Sequence, residues 1–306
     1  MDGLLLIDKP KGLTSFDVVR QVRRLLGTRR VGHTGTLDPM ATGVLPVAVG
    51  EGTRLVQFLL EGDKEYRATL RLGQTTDTQD ADGVILLERP VGEISLAELQ
   101  QAAAGLTGSI QQLPPMYSAI KMDGVPLYRL ARRGIEVERT PRTVFVERIE
   151  VLRRALPEVE IAVTCSKGTY VRTLAHDLGE RLGVGAHLTA LRRVRSGPFR
   201  ISDCISLDEL ARLVAEGRQP LLGLRQAMRH LPALEVAPEA RRRLRCGIPP
   251  ALVDCSPATA LSPGETVLLV DGESLLAIAL LAPGRERESR GDFELLRVFT
   301  GGGAVD

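Results

Sequence analysis

The chain has 306 residues, of which 43% are hydrophobic and 25% charged, a composition typical of a globular protein with about two domains. No apolar run is long enough to span a bilayer, and the N-terminal residues lack the pattern of a signal peptide, so we predict a cytoplasmic protein. The net charge of +2 is unevenly distributed, because residues 1–230 carry 32 basic and 27 acidic side chains and residues 231–306 carry 8 and 11. This asymmetry indicates a polyanionic partner for the first part of the chain.

The cysteines and histidines show no metal-binding pattern. Cys165, Cys204, Cys246 and Cys255 are widely spaced and form no C-x-x-C pair, so we predict reduced thiols and neither a disulfide framework nor a metal site. The four histidines fall in no zinc-ligand spacing. The chemistry is therefore expected to depend on carboxylates, hydroxyls and guanidinium groups.

The first predicted elements are short strands and helices. Residues 3–8, GLLLID, predict a strand, and Thr14 or Ser15 is expected to cap a helix that ends at Gly27. We predict a buried strand at 44–50 and a short helix at 55–60.

The next segment, KEYRATLRLG at 64–73, alternates apolar and polar residues, which predicts a half-buried antiparallel strand. Capping boxes that begin at Ser95 and Ser206 predict two further helices. A strand at 159–165 and an amphipathic helix at 170–183 follow the same patterns. Because strands and helices mix without a strict βαβ rhythm, we predict an α+β fold.

A second domain is predicted from about residue 231. Beyond LPALEVAPEA, short apolar runs alternate with Pro and Gly turns, as in TVLLVDG, LLAIALLA and FELLRVFTG. This pattern predicts a small β-rich domain over 231–306, which leaves 1–230 as the first domain.

One acidic residue, Asp38, lies in a loop rich in glycine and proline, GHTGTLDPMATGVLP at 32–46. Pro39 favours an extended backbone at Asp38, and Gly35 and Gly43 allow turns or close approach, which suits the presentation of one carboxylate to a ligand. The alternative is an Asx turn between Asp38 and its own backbone. The loop lacks the residues of a Walker A or dinucleotide-binding motif.

The longer string VGHTGTLDPMATGVLPVAVG resembles the signature of bacterial tRNA pseudouridine(55) synthases of the TruB type. GLLLIDKPKGLTSFDVV, KEYRATLRLGQTTDTQDADG, CSKGTYVRTLAHDLG and HLTALRRVRSGPF are similar to further blocks of that family. The resemblance implies the pseudouridine-synthase fold, with a mixed, largely antiparallel sheet. It also implies isomerisation of uridine in the T loop of tRNA, with no cofactor and no metal. Attack at the ribose C1′ or at the base C6 is compatible with it.

The resemblance also implies roles for individual residues. Asp38 matches the nucleophile, Arg172 the arginine that pairs with it, and Tyr66 the tyrosine that contacts the flipped base and serves as a candidate proton acceptor. The remaining matches are substrate-binding or supporting positions, namely His33, Tyr170, Leu191, Lys9 and Asp80. For each residue a structural role is the alternative: a core aromatic for Tyr66, a turn for Asp80, a surface arginine for Arg172 and core packing for Leu191.

Two basic segments are expected to bind RNA phosphates. Residues 114–142 look like the thumb insertion of the family, and 192–200, RRVRSGPFR, contain four arginines and no acids. Residues 231–306 loosely resemble a PUA-like RNA-binding domain, in which RRRLRCG at 241–247 is the candidate phosphate contact. We predict that the chain binds tRNA as a monomer and requires no protein partner and no membrane.

Three alternatives have different partners or chemistry. A guide-RNA-directed synthase of the dyskerin type shares the Asp motif but works inside a multi-protein particle. An RNA chaperone would fold tRNA without modifying it. A small-molecule isomerase or hydrolase could use the Asp38–Arg172 pair alone.

Overall fold

The computed structural model describes residues 1–257, 261–283 and 291–299. Its strands, in chain order, are β1 (Gly3–Lys9), β2 (Val31–His33), β3 (Thr42–Val49), β4 (Lys64–Leu72), β5 (Gln74–Thr76), β6 (Ile85–Glu88), β7 (Gly108–Gln112), β8 (Lys121–Met122), β9 (Val125–Pro126), β10 (Arg142–Ala155), β11 (Glu158–Cys165), β12 (Ala186–Ser196), β13 (Phe199–Arg200), β14 (Ala233–Val236), β15 (Cys255–Ser256), β16 (Thr266–Asp271), β17 (Ser274–Leu281) and β18 (Phe293–Val298). Its α-helices are α1 (Ser15–Leu26), α2 (Val56–Leu59), α3 (Leu96–Ala104), α4 (Leu127–Ala131), α5 (Val171–Arg181), α6 (Leu207–Ala215), α7 (Leu224–Ala227) and α8 (Pro238–Arg245), and 3₁₀ turns occupy Gly50–Leu55, Ile201–Asp203 and Leu252–Asp254. None of the helices in the three described ranges combines the length and apolar character needed to cross a bilayer.

The larger sheet has nine strands in the order β1-β3-β12-β4-β11-β10-β7, with β2 beside β3 and β13 beside β12. Its neighbours run antiparallel except β3 and β12, which are parallel. At the centre, β4 pairs along its whole length with both β11 and β12. The predicted mixed, largely antiparallel sheet of an α+β fold is confirmed.

The burial of each strand explains its sequence pattern. Strand β4 alternates, and the buried Tyr66 and Leu70 lie on the face that packs in the main core. Strands β1 and β3 are apolar without alternation because both of their faces are covered. Leu5 belongs to the main core, whereas its neighbours Leu4 and Leu6 belong to a second core on the opposite face.

The second core joins the larger sheet to a five-stranded sheet of order β15-β14-β16-β17-β18. Leu268, Ile278 and Phe299 of the smaller sheet and its end pack with Leu4 and Leu6 of β1. The three strands predicted from apolar runs near the C-terminus are confirmed as β16, β17 and β18, and the end of the last run, 300–301, lies outside the described residues.

Most predicted helix ends are present. Thr14 caps α1 in a reciprocal box with Asp17, and α1 ends at Gly27, whose φ of +62° favours glycine. Ser95 caps α3 with the expected box. Ser206 caps α6, but the reciprocal bond expected from Glu209 is wrong, because Glu209 pairs with Arg212 one turn along the helix. All four cysteines are free thiols.

Candidate active site

Asp38 lies in the loop between β2 and β3, and the backbone of this loop is held by hydrogen bonds at successive carbonyls. The bonds are Arg193 Nη2 to Gly35 O (3.2 Å), Arg193 Nη1 to Thr36 O (3.5 Å), Ser15 Oγ to Leu37 O (3.1 Å), Ala41 N to Asp38 O (3.1 Å) and Gly12 N to Pro39 O (2.8 Å). Within the described ranges the Asp38 carboxylate makes no hydrogen bond to its own backbone, so the Asx-turn alternative is wrong. The loop thus fixes its backbone and leaves the carboxylate, which is 34% exposed, available to groups outside the loop.

Arg172, in the first turn of α5, lies against this carboxylate. Its Nε is 2.8 Å from Asp38 Oδ2, and its side chain is only 4% exposed. The Nε–H is not aligned for a hydrogen bond, so the contact is an ion pair between close charges. The terminal nitrogens of Arg172 donate to Thr78 O and Tyr117 O, each at 2.8 Å. These carbonyl contacts fix the guanidinium from two other parts of the chain.

Asp80 is the second carboxylate at this guanidinium. Its Oδ2 is 3.4 Å from Arg172 Nη1, and its side chain is buried. Its Oδ1 accepts hydrogen bonds from Thr78 Oγ1 (2.6 Å) and Asp82 N (3.1 Å), so Asp80 also shapes a turn. Burial raises the pKa of Asp80, and the Thr78 hydrogen bond and the Arg172 charge oppose that rise.

Tyr66 and Leu191 lie beneath the loop on the two central strands. Both side chains are buried in the main core, and Leu191 on β12 pairs with Ala68 on β4. Burial raises the pKa of the Tyr66 phenol, the Arg193 charge opposes the rise, and the Asp38 charge adds to it. Tyr66 is therefore both a core aromatic and a polar group within electrostatic reach of Asp38.

Lys9 holds the other side of the loop. It is fully buried, and its ammonium donates to the carbonyls of Pro10 (2.9 Å), Leu13 (2.6 Å) and Pro39 (3.4 Å). Burial lowers the pKa of Lys9 to about 8, and the negative charge of Asp38 partly opposes this decrease. These contacts agree with the supporting role predicted for Lys9.

His33 and Tyr170 border the same region. His33 Nδ1 accepts from Gly35 N (3.3 Å), and burial, followed by the Arg193 charge, lowers the pKa of the ring. The backbone of Tyr170, just before α5, is held in both directions by Gln112, at 2.8 and 3.1 Å. Burial raises the pKa of the Tyr170 phenol and the Asp38 charge contributes to the rise. The structure thus brings all eight predicted site residues to one region.

Sequence reasoning missed two residues that hold the loop, Ser15 and Arg193. Ser15 Oγ accepts from Leu37 N (2.8 Å) and donates to Leu37 O. Arg193 was expected to bind phosphate with the rest of 192–200, and that expectation is wrong because its side chain is buried inside the protein. The period-two rule contained the signal, because Arg193 is two residues from Leu191 and faces the same side of β12.

Two other arginines of the 192–200 run are paired with carboxylates. Arg192 forms a bidentate ion pair with Asp8 (3.1 and 2.7 Å), and Arg195 forms an ion pair with Glu65 at 2.6 Å. Arg200 remains exposed. The described residues contain no group of three His, Cys, Asp or Glu side chains placed to hold a metal ion. The arrangement offers one accessible carboxylate, a buried guanidinium against it and a nearby phenol, which suits nucleophilic attack by a carboxylate.

Comparison with solved structures shows a shared fold. A chain of a Cbf5–Nop10–Gar1 complex matches with a TM-score of 0.75 and 30% sequence identity, covering 97% of this chain and 84% of that chain.

Sequence comparison gives the family. The family model for "TruB family pseudouridylate synthase (N terminal domain)" matches residues 23–171, and the model for "tRNA pseudouridylate synthase B C-terminal domain" matches 172–231. A protein named tRNA pseudouridine synthase B from Syntrophotalea carbinolica is 50% identical over 305 residues, which are 99% of this chain and 100% of the relative. A protein of the same name from Geobacter sulfurreducens is 47% identical over 303 residues, 98% of this chain and 100% of the relative.

Fold and sequence together define a pseudouridylate synthase, an isomerase. Within that class, the chain belongs to the TruB family. The resemblance drawn from the loop motif and the predicted fold class are thereby confirmed.

Proposed function

We propose that this chain converts uridine 55 in the T loop of tRNA to pseudouridine without a cofactor. The relatives that match it over their whole length are named tRNA pseudouridine synthase B. The observation that carries the proposal is the 2.8 Å contact between Arg172 Nε and an Asp38 carboxylate that is still partly exposed. A charged, supported and reachable carboxylate is what nucleophilic attack on a nucleoside requires.

In this proposal Asp38 attacks the extruded nucleoside and forms a bond to it, and the N1–C1′ bond breaks. The base rotates, C5 forms a bond to C1′, and the bond to Asp38 breaks, which returns the free carboxylate. C5 then loses a proton and N1 gains one, so the overall change is an isomerisation. When a base covers Asp38 and displaces water, a carboxylate there needs a positive charge close by. Arg172, already buried 2.8 Å from Asp38 Oδ2, provides that charge.

The remaining site residues surround the base. Tyr66 contacts the base face and is the candidate acceptor of the C5 proton, and Leu191 and Tyr170 line the pocket. His33 supports the extruded RNA conformation. Asp80 and Lys9 position Arg172 and the loop, which agrees with their contacts at 3.4 Å to Arg172 and at 3.4 Å to Pro39 O.

The thumb, residues 114–142, supplies the main phosphate contacts. In the described part of the chain no ion pair joins a carboxylate to its basic side chains other than Arg139, which leaves unpaired Lys121, Arg129, Arg132, Arg133 and Arg142. Unpaired cations are available to phosphates. Their contacts offset the few kcal/mol that extrusion of a base costs. Because extrusion opens the T loop, the same binding is expected to assist tRNA folding.

We extend the proposal to the organisation of the protein. Residues 1–230 form the catalytic domain, and 231–306 form a PUA-like domain that adds RNA contacts. The chain acts as a cytoplasmic monomer without a protein partner.

The test is incubation of the purified protein with unmodified tRNA transcript, with no cofactor added, followed by mapping of the modified position. We expect pseudouridine at position 55 with the wild type and none with Asp38→Asn, while the tRNA Kd changes little. Asp208→Asn, at an exposed position in the first turn of α6, serves as the matched control and retains activity. Product formation by Asp38→Asn at the wild-type rate would overturn the role of Asp38. A wild type that binds tRNA and makes no product would favour the chaperone alternative.

A further inference from the structure

Arg193 occupies an unusual position for an arginine. It lies on β12 between two strands of the site, opposite Tyr66 on β4 and opposite Gly43 on β3. Its side chain is 1% exposed. No ion pair joins it to a carboxylate within the described residues. A buried cation without a neutralising partner is costly, so its contacts need an explanation.

The guanidinium spans both ends of the Asp38 loop. Nη2 and Nη1 donate to Gly35 O and Thr36 O before Asp38, at 3.2 and 3.5 Å. Nε donates to Val44 O after Asp38, at 2.8 Å. One planar group therefore sets the distance between the two ends of the loop that presents the carboxylate.

The backbone of Arg193 is equally constrained. Gly43 has φ +104°, and a Cβ built there would lie 2.2 Å from Arg193 O. Only glycine fits at so close an approach between β3 and β12. Both the backbone and the side chain of Arg193 contact the loop, so Arg193 has little freedom to move independently of Asp38.

The charge of the same guanidinium also acts on the phenol of Tyr66, which pairs with Arg193 across β4 and β12. This charge lowers the pKa of Tyr66, against the larger effect of burial. The Arg193 charge also lowers the pKa of Lys9 and of His33, and burial is the larger cause for both residues. Arg193 thus acts on the loop and on the side chains around it.

We propose that Arg193 is a positioning residue for the isomerisation, which holds the Asp38 loop and the Tyr66 phenol in one fixed relation without contacting the RNA. This inference rests on the proposed function. Lysine cannot replace it, because an ammonium donates from a single point, whereas the planar fork reaches Val44 O on one side of Asp38 and Gly35 O on the other.

The test compares Arg193→Lys with Arg154→Lys in the full chain. Arg154 is a matched control because it also donates to a backbone carbonyl, Ile94 O, but lies on β10 outside the site. The measurements are the single-turnover rate of isomerisation at saturating tRNA transcript, the tRNA Kd and the Tm. For Arg193→Lys we expect a rate about 100-fold lower, because small misplacements of reacting groups cost that much, with a Kd within about twofold of the wild type.

Several results would overturn the inference. They are a folded Arg193→Lys protein with the wild-type rate, a loss of affinity as large as the loss of rate, or a rate restored by cooling below a lowered Tm. If Arg193→Lys does not fold, Arg193→Gln, which retains a donor without the charge, is measured in the same way against the same expectations. A wild type that makes no pseudouridine would refute the proposed function itself, whereas an active wild type with an equally active variant refutes only the role of Arg193.

Discussion

The Asp38 loop and the thumb use their polar groups in opposite ways. In the loop, each carbonyl from residue 35 to 39 accepts a hydrogen bond from the protein, so the backbone is tied to its surroundings. In the thumb, most basic side chains have no carboxylate partner in the described residues, and its elements are two-residue strands and the five-residue α4. Hydrogen bonds within the protein fix the loop that carries Asp38, whereas basic side chains without carboxylate partners leave the thumb positively charged.

Arg172 is the point at which the two regions meet. It contacts Asp38 with Nε and donates to Tyr117 O, at the base of the thumb, with Nη2. Tyr117 in turn donates to Asp77 at 3.2 Å. A change in Arg172 is therefore expected to affect both the carboxylate and the attachment of the thumb.

The largest effect is expected for Arg172→Lys, because this change loosens both the Asp38 loop and the base of the thumb. A lysine retains the charge but loses the fork that holds Thr78 O and Tyr117 O. We expect kcat to fall by about 10²–10³, the cost of removing one preorganised electrostatic group. Single-turnover kinetics on tRNA transcript measure it, with Arg181→Lys at the exposed end of the same helix as control. A kcat equal to that of the control would contradict this role.

A smaller effect, confined to the thumb, is expected for the double variant Arg132→Ala/Arg133→Ala. Loss of two phosphate contacts should raise the tRNA Kd about tenfold. It should also reduce the slope of log Kd against log salt by about 1 per contact. The rate at saturating tRNA should change little, because the Asp38 loop is untouched. The control is Arg148→Ala/Arg153→Ala, whose side chains pair with Glu150 and Glu160 on β10 and β11. An unchanged salt slope in the thumb variant would remove the thumb from RNA binding.

The smallest effect is a pH dependence of the free energy of unfolding, which comes from Lys9 at the Asp38 loop. Lys9 has a folded-state pKa of about 8, whereas the pKa in the unfolded chain is about 10.4. Below pH 8 both states hold the proton and the burial penalty is complete; above it the folded state releases the proton first, so the free energy of unfolding rises with pH. Relative to Lys9→Met, the wild type should therefore gain about 1 kcal/mol by pH 9.

Chemical denaturation between pH 7 and 10 measures this difference. Lys121→Met, at an exposed position in the thumb, is the control and should give a difference that does not vary with pH. If the difference in the free energy of unfolding between the wild type and Lys9→Met also does not vary with pH, Lys9 is not buried as a charged group against the loop.

Local patterns predicted much of this molecule, and long-range contacts account for what they missed. Alternation predicted β4, and side-chain caps predicted the starts of α1 and α3, because these features depend on neighbouring residues alone. The burial of Arg193 depends on its partners Tyr66 and Gly43, 127 and 150 positions away in the chain, so the run of arginines alone predicted contacts with phosphates. The contact of Arg172 with Asp38 joins residues more than 130 apart and came from resemblance to a family.

The parallel pairing of β3 with β12 has a consequence for biosynthesis. Strand β3, which follows Asp38, is among the first made, yet its neighbour β12 ends only at Ser196. A nascent chain that ends before β12 holds Asp38 without Arg193 and cannot close the centre of the sheet. Such distant pairing slows folding, so the Asp38 loop reaches its final surroundings only after β12 has been made.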